Sequence, residues 1–126
     1  MNNIKHIGLT VCEKDVKTFY EEILDFKIKK TFVLTQENAA NIFNIPTAIK
    51  VIGGECPEME LELFIMDNPD NSKIKTFNHV CFSTHRVAEI TTKARHNGYK
   101  TLVLEHSGTL FVTDSNQNIF EIKQLI

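Results

Sequence analysis

Near its start the chain reads His6-Ile7-Gly8-Leu9-Thr10-Val11, and past its middle it reads His79-Val80-Cys81-Phe82-Ser83-Thr84. Both stretches alternate apolar with polar residues, as a strand with one buried face does. Each is followed by a segment of helical periodicity and later by a strand-like segment with a glutamate, Glu62 in one case and Glu121 in the other. The repetition predicts an α+β protein built from two modules of the same plan, βαβββ.

Turn-forming residues set the predicted boundary between the modules. The densest turn cluster, Asp67-Asn68-Pro69-Asp70-Asn71-Ser72, marks the joint. Module one then covers about residues 1–68 and module two about residues 74–126, and we expect a single domain because 126 residues is an ordinary domain size. Gly53-Gly54 is predicted to begin a turn between two strands. A short helix over residues 37–43 is the one predicted element without a counterpart.

Two longer helices are predicted, one in each module. The first runs from Lys14 to Leu24, and Asp15 suits its first turn. Its apolar residues fall at i, i+3, i+4 and i+7 and form one stripe: Val16, Phe19, Tyr20 and Ile23. Thr84 is predicted to cap the second helix, which runs to His96 and ends at Asn97-Gly98.

Composition and charge narrow the class of protein. The chain is 42% hydrophobic and 24% charged with a formal net charge of -2, so neither a nucleic-acid nor a membrane partner is expected. No signal peptide or apolar run of membrane-spanning length is found, and the cytoplasm is the expected compartment. Widely spaced Cys12, Cys56 and Cys81 are expected to be reduced thiols. Three lysines of the predicted second strand are expected on a solvated face: Lys27, Lys29 and Lys30.

Strand alternation places four candidate metal ligands on polar faces. His6, Glu62, His79 and Glu121 all point away from the continuous apolar face of their own strand. Two imidazoles and two carboxylates form a complete ligand set for one divalent cation. Taken singly, such residues are more often hydrogen-bonded or exposed than metal-bound. Glu60 shares its face with Glu62, but the match to module two favours Glu62.

Four segments resemble the vicinal oxygen chelate superfamily, of the glyoxalase, bleomycin-resistance and dioxygenase type. Lys5-His6-Ile7-Gly8-Leu9-Thr10-Val11 resembles the opening strand, and Phe19-Tyr20-Glu21-Glu22-Ile23-Leu24-Asp25-Phe26 resembles F-Y-x-x-x-L-G-F with Asp25 in place of glycine. Leu61-Glu62-Leu63-Phe64 resembles the I-E-L strand, and residues 114–121 resemble D-P-x-G-N-x-x-E without the proline and glycine. The resemblance covers essentially the whole chain. It implies mixed sheets that curl around a cup, with helices on the outer face and a metal at the base.

Carried over by position, the resemblance implies that His6, Glu62, His79 and Glu121 bind one divalent ion: zinc, nickel, cobalt, manganese or iron. It implies a lyase or isomerase of glyoxalase I or epimerase type, acting on a small carbonyl or 2-oxygenated substrate through a metal-stabilised enediolate or enolate. Glu121 or Glu62 would loosen from the metal and serve as the catalytic base. A homodimer is expected, with the site formed within one chain or across two.

The resemblance also bears on the substrate pocket. Four residues are expected to line it: Thr10, Phe64, Met66 and Cys81. Relatives that use glutathione resemble each other in a cation at the position of Thr10 and an asparagine at that of Met66, so glutathione is not expected here. Residues 36–46 would form either a lid over the cup or a plain connecting helix.

Two other functions stay open at the level of the sequence. One is a metal-free module of bleomycin-resistance type that binds a small-molecule drug. Such binders typically lack the four-residue ligand set, so its presence here argues against this function. The other is an iron extradiol-type dioxygenase that uses His6, His79 and Glu121 as two histidines and one carboxylate.

Overall fold

A computed structural model describes residues 3–67 and 76–126 of the chain. Eight strands in these residues form two four-stranded sheets of the same layout. The first sheet has the order β1-β4-β3-β2, from β1 Ile7–Val11, β2 Lys27–Leu34, β3 Ile49–Cys56 and β4 Met59–Ile65. The second has the order β5-β8-β7-β6, from β5 Val80–Thr84, β6 Lys100–Val103, β7 Leu110–Thr113 and β8 Ile119–Gln124. Three helices accompany them: a π-helix Val16–Glu21, α1 Gln36–Phe43 and α2 Val87–His96.

Strand pairing is the same in both sheets. The first strand of each module pairs in parallel with the last, β1 with β4 and β5 with β8, while the other pairs are antiparallel. This confirms the predicted α+β fold with the βαβββ plan given twice and α1 as the extra element. The predicted joint at residues 67–72 lies outside the described residues except for Asp67, so the structure gives no account of it.

The π-helix of module one packs against the sheet of module two, and both modules contribute to the same buried core. The ring of Phe19 lies 4.9 Å from that of Tyr99 and 5.8 Å from that of Phe120. The predicted stripe is confirmed, since its four members are at most 8% exposed: Val16, Phe19, Tyr20 and Ile23. Burial of such large rings supplies much of the energy that joins the modules, at about 1.5–3 kcal/mol each.

The first predicted helix is shorter than expected, and it is a π-helix in place of an α-helix. It spans Val16–Glu21, and hydrogen bonds run to the fifth preceding residue, from the Glu22 amide to the Lys17 carbonyl (3.0 Å) and from the Leu24 amide to the Phe19 carbonyl (3.2 Å). A π-turn of this kind has the same local apolar pattern as an α-helix, so sequence periodicity does not distinguish the two.

Two predicted helix-terminal residues have other roles. Asp15 makes no cap bond; it is fully buried and accepts hydrogen bonds from Ser115 and Tyr99 of module two. Thr84 ends β5, and α2 begins three residues later, after Arg86. The predicted end of α2 is confirmed, with Gly98 at a φ of 78°.

The predicted turn at Gly53-Gly54 is wrong, because both glycines lie inside β3. A β-carbon at Gly54 would lie 2.2 Å from the Lys27 carbonyl oxygen and 2.7 Å from the Phe26 ring. Glycine therefore permits a close approach of β2 to β3, next to the register shift between Ile28 and Lys30.

The helices are placed unequally about the sheets. The π-helix and α2 contribute to the core behind the sheets, as predicted. Ala39 and Phe43 of α1 instead help to line a cavity on the opposite face, together with His6 and Glu62. Among the described residues, no helix is long and apolar enough to cross a bilayer.

Candidate metal-binding site

In module one, His6 lies beside Glu62, with 3.2 Å between Nε2 and Oε1. The parallel register of β1 and β4 places Gly8 opposite Glu62, so the residue just before β1 reaches the same carboxylate from one side. The second oxygen, Oε2, lies 3.9 Å from Nζ of Lys30 on β2. Glu62 is 16% exposed at its side chain, whereas the alternative, Glu60, is exposed.

Module two repeats this arrangement at the corresponding positions. His79 Nε2 lies 3.0 Å from Glu121 Oε1, and Glu121 Oε2 lies 3.3 Å from Nζ of Lys123. The register pairs Cys81 with Glu121, as Gly8 pairs with Glu62 in module one. Each glutamate thus has one oxygen directed at a histidine and the other at a lysine.

The hydrogen bonding of the His79 ring indicates what can bind between this ring and Glu121. Its Nδ1 lies 2.8 Å from the Phe77 carbonyl oxygen, which can only accept, so Nδ1 carries the proton. In the neutral ring, Nε2 then directs a lone pair at a carboxylate oxygen 3.0 Å away. A divalent cation bound by both the nitrogen and the oxygen would fit this arrangement. A histidine anchored through Nδ1 with Nε2 free is the usual form of a metal ligand, so the donor set fits a divalent ion.

The four predicted ligands lie in two separate pairs and not in one group. In residues 3–67 and 76–126, no three histidine, cysteine, aspartate or glutamate side chains lie close enough to hold one ion together. Each chain therefore has two separate pairs, His6 with Glu62 and His79 with Glu121, which we call the candidate half-sites.

A cavity of about 380 Å³ adjoins the half-site of module one. Three of the four residues predicted to line a substrate pocket, Thr10, Phe64 and Met66, line this cavity, whereas Cys81 is exposed on module two and lines no part of it. The ring of Phe43 packs edge-to-face on that of Phe64 at 5.5 Å. The complete lining is His6, Gly8, Leu9, Thr10, Leu34, Ala39, Phe43, Ile45, Ile49, Glu62, Phe64 and Met66.

Sequence reasoning missed some residues at the site. Lys30, expected on a solvated face, approaches Glu62, and Lys123 approaches Glu121. Lys123 is two residues beyond Glu121 on the same strand face, which is a signal the sequence carries. For residues 36–46 the sequence left a lid and a plain connecting helix open, and Ala39 and Phe43 of α1 line the cavity. His85, His96 and His106 are exposed, as predicted.

The segment that resembles D-P-x-G-N-x-x-E joins the two modules behind the site. Asp114 accepts hydrogen bonds from the Tyr20 hydroxyl at 2.6 Å and from the amides of Asn116 and Asn118. The side-chain amides of Asn116 and Asn118 donate to the carbonyl of Thr10, on β1. Burial raises the pKa of Asp114, and burial together with this carboxylate raises the pKa of Tyr20 well above its usual value.

Residues 3–122 match the sequence model of the Glyoxalase/Bleomycin resistance protein/Dioxygenase superfamily. The chain belongs to this superfamily. No curated protein matches it significantly. Membership confirms the resemblance of the four segments, and it leaves the reaction open because the superfamily name itself spans several activities.

Solved structures of similar fold come from fosfomycin resistance and glyoxalase family proteins. A mutant of the fosfomycin resistance protein FosX from Listeria monocytogenes, complexed with Mn(II) and 1S,2S-dihydroxypropylphosphonic acid, is 16% identical with a TM-score of 0.71, over 98% of this chain and 92% of that one. FosX from Mesorhizobium loti is 10% identical (TM-score 0.70; 98% and 91% covered). A glyoxalase family protein from Enterococcus faecalis is 19% identical (TM-score 0.64; 97% of both chains). At these identities the likeness concerns the fold.

Proposed function

We propose that this chain is a divalent-metal-dependent enzyme of glyoxalase type, a lyase or isomerase that acts on a small carbonyl or 2-oxygenated substrate. One observation carries the proposal: His6–Glu62 and His79–Glu121 occupy corresponding positions of the two modules, at 3.2 and 3.0 Å. Paired histidine and carboxylate donors suit zinc, nickel, cobalt, manganese or iron. Membership of the superfamily, and the Mn(II) bound by a FosX of the same fold, support a metal here.

The complete site is proposed to form in a homodimer. Two donors are too few for a metal site that normally has three or four protein ligands, and the described part of one chain does not bring the half-sites together. A two-fold symmetric dimer can place module one of each chain against module two of its partner, which makes two identical four-ligand sites.

A divalent ion held there would act as a Lewis acid on two neighbouring substrate oxygens. The protein's own groups would perform the proton transfer. Glu62 and Glu121 are each directed at a histidine through one oxygen, so either carboxylate can turn toward an adjacent substrate C–H and accept its proton. Lys30 and Lys123 lie beside the other oxygens of the two carboxylates, at 3.9 and 3.3 Å. The apolar wall of the cavity limits access of water to the substrate.

The alternative functions predict different observations. A metal-free drug-binding module has no need of two matched histidine–carboxylate pairs, and its ligand binding would be unchanged by a chelator. An extradiol-type dioxygenase would consume oxygen with catechols. The 1S,2S-dihydroxypropylphosphonic acid bound to the Listeria FosX carries a phosphonate, whereas no lysine or arginine is found among the described residues that line the cavity.

Metal content by mass spectrometry tests the proposal. We expect stoichiometric divalent metal in the wild-type protein and loss of it in Glu62→Ala and in Glu121→Ala. Glu60→Ala is the matched control, because Glu60 lies on the same strand but is exposed, and it should retain the metal. Retention of metal in both test variants, or no metal in the wild type after supplementation, would contradict the proposal.

A further inference from the structure

We propose that the cavity beside His6 and Glu62 binds an uncharged apolar tail of the substrate, an alkyl chain or one aromatic ring attached to the oxygen-bearing head. This inference rests on the proposed function for the head alone. The tail site depends on the shape and chemistry of the cavity, which exist without metal.

The cavity owes its form to α1, the element that breaks the symmetry of the modules. Thr35 caps this helix, with its hydroxyl accepting from the Asn38 amide at 3.2 Å, and Asn44 ends it in the left-handed conformation. The helix thereby places Ala39 and Phe43 over the polar face of the first sheet. In module two the corresponding connection, from Val103 to Leu110, contains no helix.

The lining combines a few polar side chains with a mainly apolar wall. His6, Glu62 and Thr10 supply the side-chain polar groups, and the remaining lining residues are apolar or glycine. A charged tail would lose its hydration there without an opposite charge to compensate, whereas an apolar tail gains from burial.

The volume sets the size of the tail. An apolar cavity of about 150 Å³ holds one benzene molecule, so about 380 Å³ accepts a ring or a chain of several carbons with room for the head. Phe43 is 49% exposed at this site. A bound tail would cover its ring, which gives the exposed aromatic a function.

The first experiment measures binding of a series of alkyl hydroxamic acids, from acetyl to octanoyl, to the metal-loaded protein by calorimetry. Hydroxamic acids carry two adjacent oxygens and suit the head site. We expect affinity to rise about three- to fourfold for each added methylene until the cavity is filled, as burial of one methylene implies. Equal affinity across the series would overturn the tail site and leave the metal proposal standing.

The second experiment uses variants of α1. Phe43→Ser should weaken binding of the octanoyl compound by about tenfold or more and leave the acetyl compound within about twofold, since the lost contact is with the tail. Ala39→Phe should do the same by filling the cavity. Ile42→Ser is the matched control, because Ile42 lies on the same helix, is 64% exposed and does not line the cavity. Equal loss in the Phe43 and Ile42 variants would overturn the proposal.

A third arm separates the tail site from the metal site. Straight-chain alcohols should bind the metal-free protein weakly, with the same gain per methylene and the same sensitivity to Phe43→Ser. One outcome is that the alcohols bind in this way but no hydroxamic acid binds the metal-loaded protein more tightly than the metal-free protein. In that case the proposed function fails and the tail site stands. If Phe43→Ser dissociates a dimer in ultracentrifugation and neither series depends on chain length, the cavity is covered by a second chain and the tail site fails.

Discussion

The hydroxyl of Tyr20 donates to the buried carboxylate of Asp114 at 2.6 Å, and this hydrogen bond connects the π-helix of module one to the end of a strand in module two. Three amide N–H groups from Asn116 and Asn118 complete the acceptor capacity of Asp114. The superfamily motif around Asp114 therefore has a structural role in this chain: it holds the modules together and, through Thr10, fixes the strand next to the candidate site.

Tyr20→Phe tests the value of that bond. The change keeps the ring packed against Phe26 and Phe120 and removes only the donor. A hydrogen bond to a buried charged group is worth about 1.5–3 kcal/mol, and we expect that loss in the free energy of unfolding, measured with urea. A loss below about 0.5 kcal/mol would mean that Asp114 is satisfied without Tyr20.

The raised pKa of Asp114 gives a prediction for pH. The folded protein holds a proton on this group at a higher pH than the unfolded chain does, because burial disfavours the charge. Stability from this group is thus greatest at low pH and declines as pH rises from 3.8 through the raised value. The unfolding free energy of wild type minus that of Asp114→Asn should fall over this window and be flat above it. A difference that rises with pH would contradict the assignment.

At the scale of the element, β3 shows how neighbouring glycines differ. Gly54 lies against the backbone of Lys27 and the ring of Phe26, whereas an added β-carbon at Gly53 would meet only the flexible side chain of Lys30 at 3.0 Å. Backbone atoms cannot move without disturbing the pairing of β2 and β3, and a lysine side chain can.

The two glycines therefore form a matched pair of variants. We expect Gly54→Ala to lower the free energy of unfolding by about 2–3 kcal/mol or more, as overpacking does, and Gly53→Ala to cost less than about 1 kcal/mol. Thermal unfolding of both variants under one set of conditions measures the difference. Equal losses would show that β-propensity, and not the close approach of Lys27, determines the cost at Gly54.

At the scale of the whole molecule, packing of the π-helix on the second sheet holds the modules in one relative position. The hydrogen bonds that Ser115 donates to Asp15 and that Arg86 donates to Glu58 act in the same way. Because these contacts join the modules firmly, we expect the half-sites to be completed by a second chain and not by rearrangement within one.

Mixed dimers test this expectation. One differently tagged chain carries His6→Ala with Glu62→Ala, and the other carries His79→Ala with Glu121→Ala. If the site forms across chains, dimers purified through both tags have one intact site out of two and should bind about half the wild-type amount of metal. Neither parent homodimer should bind any. A site within one chain predicts no metal in the mixed dimers.

Much of this architecture follows from local pattern. The period of two along β1, β4, β5 and β8 determined which side chains face away from the core, because successive side chains of a strand alternate regardless of what packs on it. The mirrored positions of Glu62 and Glu121 then led to the glutamates that lie beside His6 and His79.

Only the tertiary structure decided the rest. Contacts between residues far apart in the chain determine three features: the placement of α1 over the cavity, the approach of Lys30 to Glu62 and the burial of Asp15. Glycines read as a turn lie in β3, because their use depends on the neighbouring strand. Periodicity reports which face of an element is buried, whereas the partner that buries it is set by the packing of the whole chain.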